Sequence, residues 1–161
     1  MSKNVLSGLV AGAAVTLAAI IPASSASAVE KGSCQVEMQR NVPAEMRDGT
    51  VLYSDVYRPD ADGEYPVILM RLPYDKDAAQ TYVYGDPELY ASHCYVVVIQ
   101  DVRGQYMSEG TFYPFRKEAK DGYDTVEWAA DLPQSNGKVG MYGFSYVGAT
   151  QWQAAKMQPP S

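Results

Sequence analysis

The 161-residue sequence predicts an α/β domain, a mostly parallel sheet with helices on both faces. Two short apolar runs, Pro66–Pro73 and Tyr95–Asp101, have the continuous character of strands buried on both sides. A helical pattern over Lys117–Leu132 then separates the second run from a third strand-like stretch, Lys138–Phe144. Strands alternating with helices in this way pair in parallel through right-handed crossovers.

The first element reads as a targeting segment. Lys3 precedes an uncharged apolar run, Leu9–Ile21, which Pro22 breaks, and Ala26-Ser27-Ala28 has the small-x-small pattern cut by signal peptidases. Residues 1–28 are therefore expected to be a signal peptide cut between Ala28 and Val29, and the protein to be secreted or periplasmic. A stable membrane anchor is the alternative, but a spanning helix needs about 20 apolar residues and this run is shorter.

Next, Gln35–Met46 and Thr50–Arg58 alternate apolar with polar residues around Arg47-Asp48-Gly49, and an Asp-Gly pair there signals a hairpin. Pro59–Tyr65 is a polar, turn-rich loop before the first buried strand, and residues 77–86 are loop-like. Asp86-Pro87-Glu88 supplies the N-cap, first-turn proline and acidic residue that open a short helix. Within Lys117–Leu132, Ala119, Tyr123, Val126 and Ala130 recur at helical spacing and are expected to face the core. Asn136-Gly137 turns the chain into the third strand; Tyr146–Met157 is helix-compatible, and Pro159-Pro160 stops it. A parallel sheet that stops after its third buried strand leaves an open edge, to be covered from outside or by chain that is missing.

The net charge of −6, without a basic cluster, argues against nucleic acid or an anionic membrane surface as partner and leaves small neutral or cationic substrates open. Cys34 and Cys94 alone fix no geometry, and free or buried thiols are the favoured reading. A bridge between them would close a loop of about 60 residues and contribute on the order of 4 kcal/mol by chain entropy. With one histidine, two cysteines make a poor structural zinc set.

Gly143-Phe144-Ser145-Tyr146-Val147-Gly148 falls where the third strand meets the last helix. That is the setting of a nucleophile elbow, in which Ser145 is held clear of the backbone above the carboxyl ends of the strands of an α/β-hydrolase. The common form is G-x-S-x-G, whereas here Val147 takes the fifth position; a helix-capping serine is the alternative. Two donors are candidates for a developing oxyanion. One is the backbone N–H of Tyr146, and the other is the phenol of Tyr74 in the loop Pro73-Tyr74-Asp75-Lys76; a tyrosine packed at a strand end is the alternative for Tyr74. His93 precedes the strand 95–101 and lies roughly 20 Å from its carboxyl end, out of reach of Ser145. Asp101, at the catalytic edge, is able in principle to orient a base, but a structural pair with Arg103 is the favoured reading. Since α/β-hydrolases run serine, acid, histidine along the chain, both partners are expected beyond Ser161 and a C-terminal truncation is inferred.

Met46-Arg47-Asp48-Gly49, Tyr57-Arg58-Pro59, Pro73-Tyr74-Asp75-Lys76, Val98 to Gly104, Ser108-Glu109-Gly110, the elbow and Thr150-Gln151-Trp152-Gln153 occur in order at matching separations. On these residues the chain resembles the X-Pro dipeptidyl-peptidase-like serine hydrolases, in their cocaine-esterase-like branch. The resemblance implies that residues 29–161 are the N-terminal part of an α/β-hydrolase catalytic domain, truncated after the elbow, with the cap and C-terminal jelly-roll domain absent. It also implies Ser145 as nucleophile, Tyr74 and Tyr146 as the oxyanion hole, and G-x-S-Y-x-G as the family's form of the elbow. Small ester or short peptide substrates would react through an acyl-enzyme without a cofactor, and residues 29–161 by themselves are expected to be inactive. The competing reading is a non-catalytic binding protein that retains half of the fold, its thirteen tyrosines lining a surface.

Overall fold

The computed structural model describes residues 32–80 and 85–161; the expected signal peptide lies outside them. Strands β1 (Val36–Glu45) and β2 (Val51–Pro59) form the antiparallel hairpin, closed where Gly49 takes the left-handed conformation that a side chain disfavours. There follow β3 (Tyr65–Leu72), a 3-10 turn at Lys76–Gln80, α1 (Pro87–Ser92), β4 (Val96–Asp101), α2 (Glu118–Ala130), β5 (Ser135–Met141) and α3 (Tyr146–Ala155). The five strands lie in the order β1-β2-β4-β3-β5. β3 runs parallel to β4 and β5, and β2 antiparallel to β4, giving the mixed sheet of an α/β-hydrolase fold.

Alternation along the strands divides the core in two. On one face Val56, Val67, Leu69, Val96 and Val98 meet Val126 and Ala129 of α2. On the other, Tyr57, Met70, Leu72, Val97 and Ile99 meet Ala91 of α1 and Val147 of α3. Each large apolar side chain so buried contributes about 1.5–3 kcal/mol. Helices α2 and α3 approach so closely at Gly122 that a Cβ there would stand 2.8 Å from that of Ala154.

Three details differ from the sequence reading. The buried face of α2 is Glu118, Asp121, Gly122, Thr125, Val126 and Ala129, so Val126 alone of the four expected core positions is fully buried. The helix turns polar groups inward because they serve buried cations and an amide, described below. Asn136-Gly137 lies within β5 rather than before it: the β3–β5 register shifts between Tyr65 and Val67, absorbing the extra residues, and the strand ends at Met141 rather than Phe144. Finally, Cys34 and Cys94 form a disulfide, with Cα atoms 5.6 Å apart. The segment before β1 lies along the end of α1, where the Cys34 N–H donates to Ser92 O and the Gly32 N–H to Ser92 Oγ. Two cysteines far apart in sequence meet through the order of the strands, which their spacing does not reveal.

Candidate active site

Ser145 stands between β5 and α3, exposed, with φ 58° and ψ −128°. That region of backbone space is nearly reserved for glycine and costs of order 1–3 kcal/mol to occupy. A capping serine would instead be extended, with its oxygen accepting from the helix's first N–H groups. Ser145 makes no such side-chain bond and is not a capping serine; the chain turns sharply there from strand to helix. Gly143 (φ 116°) is required, because a Cβ there would overlap the Val147 side chain. The departure at the fifth position has a plain cause: Val147 is fully buried among Met70, Leu72 and Ile99, so a valine fills core. At Gly148 an added Cβ would meet its neighbours at ordinary contact distance.

Tyr146 begins α3, where the first N–H groups lack intrahelical partners and the helix dipole favours negative charge. Its ring stacks on Phe115 with centroids 4.5 Å apart and meets Tyr74 edge-on at 6.4 Å. Its hydroxyl donates to Glu118 Oε1 (3.0 Å) and accepts from the Phe115 N–H (3.2 Å). Burial, followed by the Glu118 carboxylate, pushes the phenol up to about 12. Glu118 is itself buried and accepts from Arg71 at 2.8 Å. Arg71, fully buried, also donates Nε to Gln100 Oε1 (2.8 Å), which accepts from Thr125 as well, while Gln100 Nε2 reaches Ser54. Ser54, Gln100 and Arg71 are cross-strand neighbours on the α2 face of β2, β4 and β3, so a polar row runs across the sheet and ends at the residue after the serine.

Tyr74 lies just past the end of β3, 44% exposed, and Asp75 after it takes the left-handed conformation. Asp101 caps the end of β4 beneath this loop, where its Oδ1 accepts from the Lys76 N–H at 2.8 Å. Burial pushes the Asp101 carboxyl up to about 6, against the opposing pull of the Lys76 N–H and ammonium. The expected Asp101–Arg103 pair is absent. Arg103, beyond the strand end, turns to α2 and donates to both oxygens of Asp121, and to Asp48. His93 caps the C-terminus of α1 at the amino end of β4, while Ser145 follows the carboxyl end of β5 in the same parallel set. Serine and histidine thus stand at opposite ends of the sheet.

The structure therefore brings Ser145, Tyr146 and Tyr74 to one edge and leaves His93 at the other. Sequence reasoning missed Glu118 and Arg71. Their signal was Arg71 itself, a cation inside the otherwise apolar run PVILMRLP, which demands a buried partner.

A protein-family model described as X-Pro dipeptidyl-peptidase (S15 family) matches residues 48–161. The cocaine esterase of Rhodococcus sp. (strain MB1 Bresler) is 48% identical over 117 residues, 71% of this chain; the chain spans only 20% of that protein's length. A CocE/NonD family hydrolase from Staphylococcus aureus superposes with a TM-score of 0.71 at 32% identity, over 82% of this chain and 29% of its own. An alpha-amino acid ester hydrolase superposes at 0.65 and 29% identity, over 86% of this chain and 26% of its own. The chain belongs to the X-Pro dipeptidyl-peptidase S15 family.

Proposed function

We propose that the chain carries the nucleophile and oxyanion hole of an exported serine hydrolase that cleaves small esters or short peptides through an acyl-enzyme on Ser145. The observation that carries this is the backbone of Ser145, φ 58° and ψ −128°, on an exposed strand-to-helix turn with no capping bond. Strain of this kind persists only where the surrounding structure enforces it, and it clusters at reactive groups.

In the proposed reaction Ser145 Oγ attacks the substrate carbonyl carbon as a base removes its proton. The carbonyl oxygen becomes an oxyanion, held by the Tyr146 N–H and the Tyr74 hydroxyl. Collapse breaks the bond to the alcohol or amine, which departs with a proton and leaves an ester on Ser145; water then releases the acid and restores the hydroxyl. Tyr74 suits the donor role by its place after β3 and its edge-on approach to Tyr146. With His93 at the far end of the sheet, the base of the proposed reaction is not His93. The Cys34–Cys94 disulfide supports export, because such bonds persist in oxidising compartments.

The test is to express the protein from its complete reading frame and treat it with a fluorophosphonate probe beside a Ser145→Ala control. Labelling of the wild type and none of the control is expected. A folded wild type that resists the probe would overturn the assignment.

A further inference from the structure

The α1 face of the sheet holds a second polar cluster, which the reaction above does not use. Lys76 is 4% exposed, and its Nζ lies 3.8 Å from Asp55 Oδ1 and 3.7 Å from Asp101 Oδ2. Both carboxylates are buried, Asp55 in the middle of β2 opposite Ile99 and Asp101 at the end of β4. Asp55 also accepts from the Asn41 N–H at 2.9 Å and faces Arg40 at 3.8 Å. Lys76 is held twice, since its N–H donates to Asp101 Oδ1. Immediately before it stand Asp75, in the left-handed conformation, and Tyr74.

Burying one ammonium between two carboxylates is costly, and apolar residues of similar volume commonly hold a core at least as well. What such a cluster supplies is a fixed geometry. Here it fastens the main chain two residues beyond Tyr74 to the end of β4 and to the middle of β2. A phenol on a loop stabilises an oxyanion only when its oxygen is held within a few tenths of an ångström of the required place.

We propose that Lys76, clamped between Asp55 and Asp101, is the positioning residue for the Tyr74 donor. The inference rests on the hydrolase reading and deepens it: each of the two donors has its own buried polar anchor, on opposite faces of the sheet. Tyr146 is tied through Glu118 and Arg71 on the α2 face. Tyr74 is tied through Lys76 on the α1 face.

The experiment is a double-mutant cycle on the full-length protein, with the second-order rate of fluorophosphonate labelling as readout and a thermal melt to establish that each variant folds. Tyr74→Phe removes the donor and is expected to slow labelling about 10²–10³-fold. Lys76→Met is expected to slow it about tenfold or more in the wild-type background and to change it little once Tyr74 is phenylalanine, because positioning matters only while there is a hydroxyl to position. Should Lys76→Met fail to fold, Asp101→Asn, which keeps an acceptor for the Lys76 N–H, takes its place in the same cycle. Equal slowing in both backgrounds would overturn the proposal while leaving Ser145 and Tyr74 in their roles. So would a Tyr74→Phe variant that labels at the wild-type rate, which removes the donor alone. A folded wild type that resists labelling would remove the hydrolase reading, and this inference with it.

Discussion

Tyr146 donates its hydroxyl to Glu118 across 3.0 Å, so the side chain next to Ser145 is fastened to helix α2. Glu118 in turn neutralises the buried Arg71. Replacing Glu118 with alanine leaves that guanidinium uncompensated and is expected to destabilise the protein by about 3–5 kcal/mol. Tyr146→Phe removes a hydrogen bond to a charged acceptor, about 1.5–3 kcal/mol, together with the acceptor of the Phe115 N–H. It should also label more slowly with a fluorophosphonate, because the hydroxyl anchors the residue whose main-chain N–H is the assigned donor. Denaturant midpoints and labelling rates on the same samples check both.

Ser145→Gly is expected to abolish labelling and to raise stability by about 1–3 kcal/mol, since glycine adopts φ 58°, ψ −128° without strain. Ser145→Ala abolishes labelling too but keeps the strain, so its midpoint should stay near the wild type. Equal midpoints for the two variants would show that the elbow stores no strain. Gly143→Ala should act in the opposite sense, because the new methyl group collides with Val147.

Asp101 makes stability depend on pH. Its carboxyl is raised from 3.8 to about 6 by burial, with Asp75 adding to the shift and Lys76 opposing it; Asp55 and Arg40 lie on the far side of Lys76. A raised pKa means that the folded state holds its proton longer than the unfolded one. The associated stability is fully present below about pH 4 and is lost as the pH rises through about 6. Wild type should therefore lose ground against Asp101→Asn across that window. Asp48, which Arg103 holds well below the ordinary carboxylate range, contributes stability that is lost in acid instead, and it cancels in the comparison. Paired melts at intervals from pH 4 to 7 measure the difference.

Reducing the Cys34–Cys94 bond reopens a loop of 60 residues. The expected loss is on the order of 4 kcal/mol by chain entropy. A Cys34→Ser/Cys94→Ser protein should melt at the lower temperature with or without reductant, whereas wild type should fall to it only when reduced. An unchanged wild-type melt under reductant would mean that the segment at Gly32 and Cys34 is held by its hydrogen bonds to Ser92 alone.

The fold was legible because its strands and turns are built from strong local signals. Asp48-Gly49 marked the hairpin, Asp86-Pro87 the start of α1, and the apolar runs became β3 and β4 within a residue or two. The turn at Ser145 was legible for the same reason, as a glycine and a serine at a strand-to-helix junction. The partners of the buried charges were not. Hydrophobic spacing assigned α2 a face through Ala119 and Tyr123, but the helix turns Glu118 and Asp121 inward to meet Arg71 and Arg103. Apolar periodicity is blind to such a face. Asp101 was matched with Arg103 by proximity in sequence, whereas the strand end delivered it to Lys76 from another loop.

Every residue of β4 is buried, and from Val96 to Ile99 both of its faces are apolar. Hydrophobicity alone would let such a strand slip by one position at small cost, one branched side chain replacing another. Gln100 and Asp101 do not permit it. Gln100 is matched to Arg71 and Thr125 on the α2 face and Asp101 to Lys76 on the α1 face. Shifted by one residue, Arg71 would find Ile99 in place of its amide and Lys76 would find an amide in place of its carboxylate. The two polar residues at the strand's end act as a key cut on both edges, admitting a single alignment of β4 during folding.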